Sequence, residues 1–279
     1  MKKFLVFLGL GVVFIGISFL ISSYHNAVRP PEAKRLAIVT PTVTPTPSPL
    51  PQLKLPIVMF HYVENVEDPR DVKRIKMDVP PFILNLQLKA LKDNEYDTYF
   101  VKDIPGILSS GRELKNKSIV LTFDDGYVDF YRNAFPLVKK YNLKATVYII
   151  YNFIGRRGFM SLAQIHELID SGLIEVGSHT MTHPSLEILH DEEAKKEIFE
   201  SKKSLEETFG VSVTSFAYPA GAYNNETLKL VREAGYTIAL TTHPGIIIKK
   251  DNLYEVPRIR PGSLTPTFIE NYFEKFLFH

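Results

Sequence analysis

From Pro56 to Thr242 the chain alternates short apolar runs with longer segments whose apolar residues recur at helical spacing. The runs "PIVMFHYV" (56–63), "SIVLTF" (118–123), "KATVYII" (144–150), "LIEVGSH" (173–179), "VTSFAYP" (213–219) and "YTIALTT" (236–242) read as strands. Helical patterns lie between them at 80–94, 130–142, 161–172, 191–210 and 225–235. Ser161 and Asn224 stand where helix caps belong, and Gly172, Gly210 and Gly235 lie just past helix ends. Repeated strand–helix order predicts a parallel sheet with helices outside it. So many units in one α/β domain favour a distorted (β/α) barrel of about seven strands over an open sheet. Functional residues of such a barrel belong at the C-terminal ends of its strands. Asp124 and Asp125, His179, Pro219 and the residues after Thr241 all fall at such ends, on one predicted rim.

The 279 residues leave room for one or two domains, and 45% hydrophobic with 23% charged residues is an ordinary globular balance. A net charge of +2 without long basic runs gives no case for nucleic acid. With no cysteine, disulfides, zinc–thiolate sites and cysteine nucleophiles are excluded, so any metal must be held by His and carboxylates. Residues 1–23, "MKKFLVFLGLGVVFIGISFLISS", carry two lysines before an uncharged, mostly apolar stretch long enough to span a bilayer. They predict an uncleaved transmembrane anchor, with a cleaved signal peptide as the alternative. Either way the rest of the chain is expected outside the cytoplasm. The Pro/Thr-rich segment 24–53 reads as an extended linker, and 54–279 as the folded domain. The end of that domain, "NYFEKFLFH", is apolar on one face and is expected to pack on it.

Two adjacent acids, Asp124 and Asp125, end an apolar strand at "TFDDG", although a buried unpaired carboxylate is costly. Adjacent strand residues point to opposite faces, so the two can do different jobs where the strand gives way to a turn. In "GSHTMTHPSL", His179 and His183 are spaced i and i+4, which on a helical turn would put both rings on one side. Two imidazoles and one carboxylate leave a position open for water on a divalent ion. One aspartate can then serve as ligand and the other as base.

The ordered set "TFDDG", "SHTMTHPSL" and "FAYPAGAYN" resembles the successive motifs of the polysaccharide deacetylases, the NodB-homology group within carbohydrate esterase family 4. The resemblance extends over roughly 54–262. Its flanks "PIVMFHYV" and "VPRIRPGS" are similar to the branch that deacetylates poly-N-acetylglucosamine. It implies hydrolysis of N-acetyl groups from an extracellular or cell-wall amino-sugar polymer, with release of acetate. Asp124 matches the family's catalytic base, and Asp125, His179 and His183 its metal ligands. The metal would be one divalent ion, zinc before cobalt, nickel or manganese. The third motif places the oxyanion-donating N–H at Ala220, with Tyr218 and Pro219 on the same substrate-binding turn.

The chain departs from that pattern in three places. Ala217 stands where many members carry the arginine that orients the base, which directs attention to Arg258 or Arg260 of "VPRIRPG" as its replacement. Ala220 stands where many have a tyrosine lining the sugar groove, and its smaller side chain implies a wider site. The late Leu-x-His motif, which supplies the general acid, is stretched by one residue in "ALTTHPG". His243 and His61 are therefore rival acids. A surface glycan-binding protein that keeps the barrel without turnover is the alternative reading; the complete set of base and ligands argues against it.

Overall fold

A computed structural model describes residues 52–111, 113–115 and 117–261. The expected anchor, the linker up to residue 51 and the C-terminal apolar segment lie outside the described residues. Among the described residues no helix is long and apolar enough to cross a membrane.

The described chain runs β1 (Gln52–Lys54), β2 (Ile57–Phe60), α1 (Val72–Met77), α2 (Pro81–Asp93), β3 (Asp97–Tyr99), α3 (Ile104–Ser110) and β4 (Ser118–Phe123). It continues through α4 (Phe135–Tyr141), β5 (Ala145–Ile149), α5 (Leu162–Asp170), β6 (Ile174–Ser178), α6 (Asp191–Phe209), β7 (Ser215–Ala217), α7 (Asn225–Glu233), β8 (Ile238–Leu240) and β9 (Ile247–Lys249). The end of the expected linker, Gln52 and Leu53, runs in β1, which pairs antiparallel with β9. The main sheet has seven parallel strands in the order β2-β4-β5-β6-β7-β8, with β3 beside β4.

The sheet curls, and an irregular segment fills the gap between its outer strands. Ala239 donates to the Leu253 carbonyl and Thr241 to that of Val256, while Met59 donates to Ile259 and Ile259 to Ile57. The stretch 253–259 is thereby bonded to β8 on one side and β2 on the other. The seam is closed by single bridges rather than by an eighth strand.

Side-chain alternation assigns the two faces. Ile119, Leu121 and Phe123 of β4 pack outward with Leu84 and Leu88 of α2, Val138 of α4, Ile165 of α5 and Ile198 of α6. Val120, by contrast, joins an interior cluster with Ile57, Tyr148, Leu240 and Val256. The stripe on α6 has the expected apolar face, with Ala194, Ile198, Leu205 and Phe209 buried. Ser161 and Asn224 accept from Gln164 and Thr227 as caps.

Three local expectations differ from the structure. The first strand stops at Phe60, so His61–Val63 form a loop; Tyr62 and Asp78 make an isolated bridge there. The helix expected over 130–142 opens with a π-helical turn, Phe130–Ala134, before α4. The elements β3, α1 and α3 were not anticipated; β3 is three half-buried residues, too short for a periodic signal.

Candidate metal centre and catalytic rim

Register sets the rim. Phe60 pairs with Phe123, so His61 and Asp124 leave β2 and β4 at the same level, and Asp124 N–H donates to the Phe60 carbonyl at 3.0 Å. Ile149 pairs with Ser178, and Ala217 with Leu240, which brings His179, Tyr218 and Thr241 to the corresponding positions further round.

Asp124 prolongs the inward alternation Val120, Thr122 and lies inside the curled sheet, where it is 3% exposed. A buried carboxylate needs a partner. Arg258, from the seam segment, grips it with both guanidinium arms: Nη1 donates to Oδ1 at 2.7 Å and Nη2 to Oδ2 at 2.8 Å. Nη1 also reaches Thr122 Oγ1 (3.2 Å), and Nε donates to the Thr241 carbonyl (2.9 Å). Burial pushes the Asp124 carboxyl upward, but the Arg258 charge and His61 outweigh it and hold it below the ordinary carboxylate value. Of the two arginines considered from sequence, Arg258 is the one on Asp124, while Arg260 is exposed.

Asp125 turns the other way because its backbone is left-handed, φ 74°. Gly126 follows at φ 75°, and a Cβ there would come within 2.9 Å of the Ile149 side chain, so this turn requires glycine. Asp125 Oδ1 lies 3.3 Å from His179 Nε2 and 3.4 Å from His183 Nε2. The ligand atoms of all three residues lie within 4.8 Å of one another.

The two histidines do not meet on a helical turn, as their spacing had predicted. Residues 179–183 are an irregular loop in which Thr180 (φ 69°) and His183 (φ 63°) are left-handed. Pro184 disfavours helix at the residue before it. Glu197 of α6 takes the backbone N–H groups of Met181 and Thr182, each at 2.8 Å, and the Thr182 hydroxyl at 2.6 Å. Backbone strain of this kind costs on the order of 1–3 kcal/mol per residue and persists only where surrounding contacts over-determine it. Here it gathers at Asp125, Thr180, His183 and Ala220 (φ 54°).

The donor set fits a divalent cation. His179 Nδ1 meets the Ala217 carbonyl at 2.7 Å, so Nδ1 carries the proton and Nε2 turns a lone pair toward Asp125. Asp125 Oδ1 is buried without a hydrogen-bond partner. Lone pairs converging at 3.3 Å repel unless a positive centre lies between them. With no cysteine in the chain, two imidazoles and a carboxylate form a nitrogen–oxygen set suited to zinc and neighbouring divalent metals.

The remaining sequence candidates separate. His61 Nε2 lies 3.9 Å from Asp124 Oδ2, and burial lowers its pKa against the pull of Asp124 and Asp125. His243 is exposed, with its ring edge-on to Tyr223 at 5.9 Å. Ala220 is exposed at the tip of the turn after β7; Gly221 and Ala222 close that turn by donating to the Tyr218 and Pro219 carbonyls. Gly221 admits close approach of Thr242, whose Oγ1 would lie 2.2 Å from an added Cβ. Tyr218, grouped with the substrate turn from sequence, is instead a core residue. Its side chain is fully buried and its hydroxyl donates to the Tyr254 carbonyl at 3.1 Å. Pro219 is buried as well.

Sequence reasoning missed Glu197 and Tyr127. Tyr127 stacks on Tyr62 with ring centroids 4.1 Å apart and accepts its hydroxyl proton at 2.6 Å. The tyrosine directly behind "DDG" was the available signal.

A sequence profile of the family described as polysaccharide deacetylase matches residues 111–239. YxkH of Bacillus subtilis, named for the same family, is 34% identical over 223 residues, covering 78% of this chain and 77% of its own. A Staphylococcus aureus protein named poly-beta-1,6-N-acetyl-D-glucosamine N-deacetylase is 28% identical over 186 residues, 62% of this chain and 64% of its own. The solved structure of the Streptococcus pyogenes deacetylase PplD in complex with acetate superposes with a TM-score of 0.72 at 30% identity, covering 80% of this chain and 98% of that one.

Proposed function

The chain belongs to the polysaccharide deacetylase family, hydrolases acting on carbon–nitrogen bonds, and from that premise we propose that it removes N-acetyl groups from an N-acetylglucosamine polymer outside the cytoplasm. The observation that carries this reading is the division of labour between adjacent acids. Asp124 is buried in a bidentate grip by Arg258, while Asp125 faces two imidazoles with an oxygen that has no hydrogen-bond partner. The name of the S. aureus relative supports the substrate class, and the apolar stretch 4–23 supports a location at the membrane surface.

Asp125, His179 and His183 would hold one divalent ion, zinc being the leading candidate. When bound it supplies Lewis acidity to the acetyl carbonyl. Asp124, kept ionised by Arg258, takes a proton from the attacking water. The water oxygen bonds to the carbonyl carbon, and the Ala220 N–H is the donor assigned to the oxyanion that develops. As the carbon–nitrogen bond breaks, the proton held on Asp124 returns to the leaving nitrogen. His61, 3.9 Å from Asp124, is placed to carry it. Acetate and a free amine result.

Acetate release from chitin oligomers, poly-N-acetylglucosamine and peptidoglycan tests the proposal. Release should stop with a chelator and fall by roughly 10²–10⁴ in Asp124→Asn. An Asp124→Asn protein as active as the parent would overturn it.

A further inference from the structure

The loop after β2 carries two groups that face the segment of the acid pair. His61 stands beside Asp124, and Tyr62 donates to Tyr127, two residues after Asp125. What holds this loop comes from the segment that follows the acids. Val63 N–H donates to Asp129 Oδ2 at 2.6 Å, and the Val63 carbonyl accepts from Asn133 Nδ2 at 2.6 Å. Side chains four residues apart thus occupy both backbone polar groups of one loop residue, whose own side chain is fully buried in the core. Asp129 is itself buried, its other oxygen accepting from Phe130 N–H at 3.0 Å. The flanks are tied too: Tyr62 N–H donates to the Met77 carbonyl (3.3 Å), Val79 N–H to that of Tyr62 (3.0 Å) and Glu64 N–H to Asp78 Oδ1 (3.0 Å).

We propose that Asp129 and Asn133 are positioning residues for the reaction: by clamping Val63 they hold His61 in register with Asp124, and Tyr62 against Tyr127. A clamp serving stability alone could join any two elements. This one joins the loop that carries His61 to the helical segment directly following the turn that carries both acids. The lateral distance between His61 and Asp124 is therefore set from within the "DDGYVDFYRN" segment. The three metal ligands lie outside the clamp. The inference rests on the reading of Asp124 as the base.

The test measures kcat, KM, zinc affinity and Tm of the full chain for Asp129→Ala, Asp129→Asn and Asn133→Ala, alone and with His61→Ala. Asp129→Ala and Asn133→Ala should lower kcat roughly 10- to 100-fold, with KM and zinc affinity close to the parent. Asp129→Asn, whose amide oxygen can still accept from Val63, should recover most of that loss. In the His61→Ala background Asp129→Ala should lose most of its effect, because the group it positions is gone. A lowered Tm with parental kcat, or full additivity with His61→Ala, would overturn the proposal. Should Asp129→Ala not fold, Asn133→Ser removes the other half of the clamp and decides by the same outcomes. Failure of the underlying reading is distinguishable, since Asp124→Asn would then be as active as the parent, or the parent would release no acetate from any polymer.

Discussion

Above β4 and β6 the site residues are buried or half-buried and held by groups from elsewhere in the fold, Asp124 by Arg258 and the His179–His183 loop by Glu197. Above β8, His243 is exposed and its ring rests edge-on against Tyr223. The contrast separates side chains gripped by partners from elsewhere in the fold from one that stands exposed, although the His243 backbone is held, its N–H donating to Thr241 Oγ1 and its carbonyl accepting from Arg258 N–H. Chemistry that requires sub-ångström placement belongs to the first side.

The comparison is tested most severely at Arg258. Both partners of its pair with Asp124 are essentially fully buried, at 0% and 2% side-chain exposure. Arg258→Leu leaves a buried carboxylate unpaired and should cost about 3–5 kcal/mol of stability. The pH profile should move as well. Asp124 now titrates below its ordinary value, so the base remains available in mild acid. Without the guanidinium, burial loses its main opponent and its pKa rises, so the acidic limb of kcat should shift to higher pH. The linked stability follows the same sign: the pairing stabilises the fold above about pH 4 and is lost as pH falls further. A variant with an unmoved limb would mean that Arg258 does not govern the base.

A smaller effect is expected at Glu197. Glu197→Ala frees the N–H groups of Met181 and Thr182 and should lower metal affinity by roughly 10–100-fold, read by competition with a chromophoric chelator. Unchanged affinity would show that the histidine turn holds without its acid. The smallest effect belongs to His243→Ala. Its rate should stay within about tenfold of the parent, below the 10²–10⁴ range of a lost general acid. A larger loss than for His61→Ala would reverse the ranking of the two sides.

Much of this was readable before any coordinates. Continuous apolar runs separated by capped helices imply a parallel sheet, and residues following those runs must crowd one rim. What could not be read depends on contacts remote in sequence. Spacing alone suggested a helix for His179 and His183, because neither Glu197 nor the strain it supports has a local signature. Arg258 and Arg260 were equivalent until the seam segment showed which one turns inward. Asp129 and Asn133 bind the backbone of a distant loop, and such a contact leaves no complementary side chain to notice. The element β3 and the short α3, with Pro105 and Gly106 inside it, were too brief and mixed to show a period.

The stretch 253–259 that sews β8 to β2 also delivers Arg258 to Asp124. Joining those two duties couples closure of the curled sheet to the surroundings of one carboxylate: whatever displaces 253–259 from the seam also strips buried Asp124 of its guanidinium.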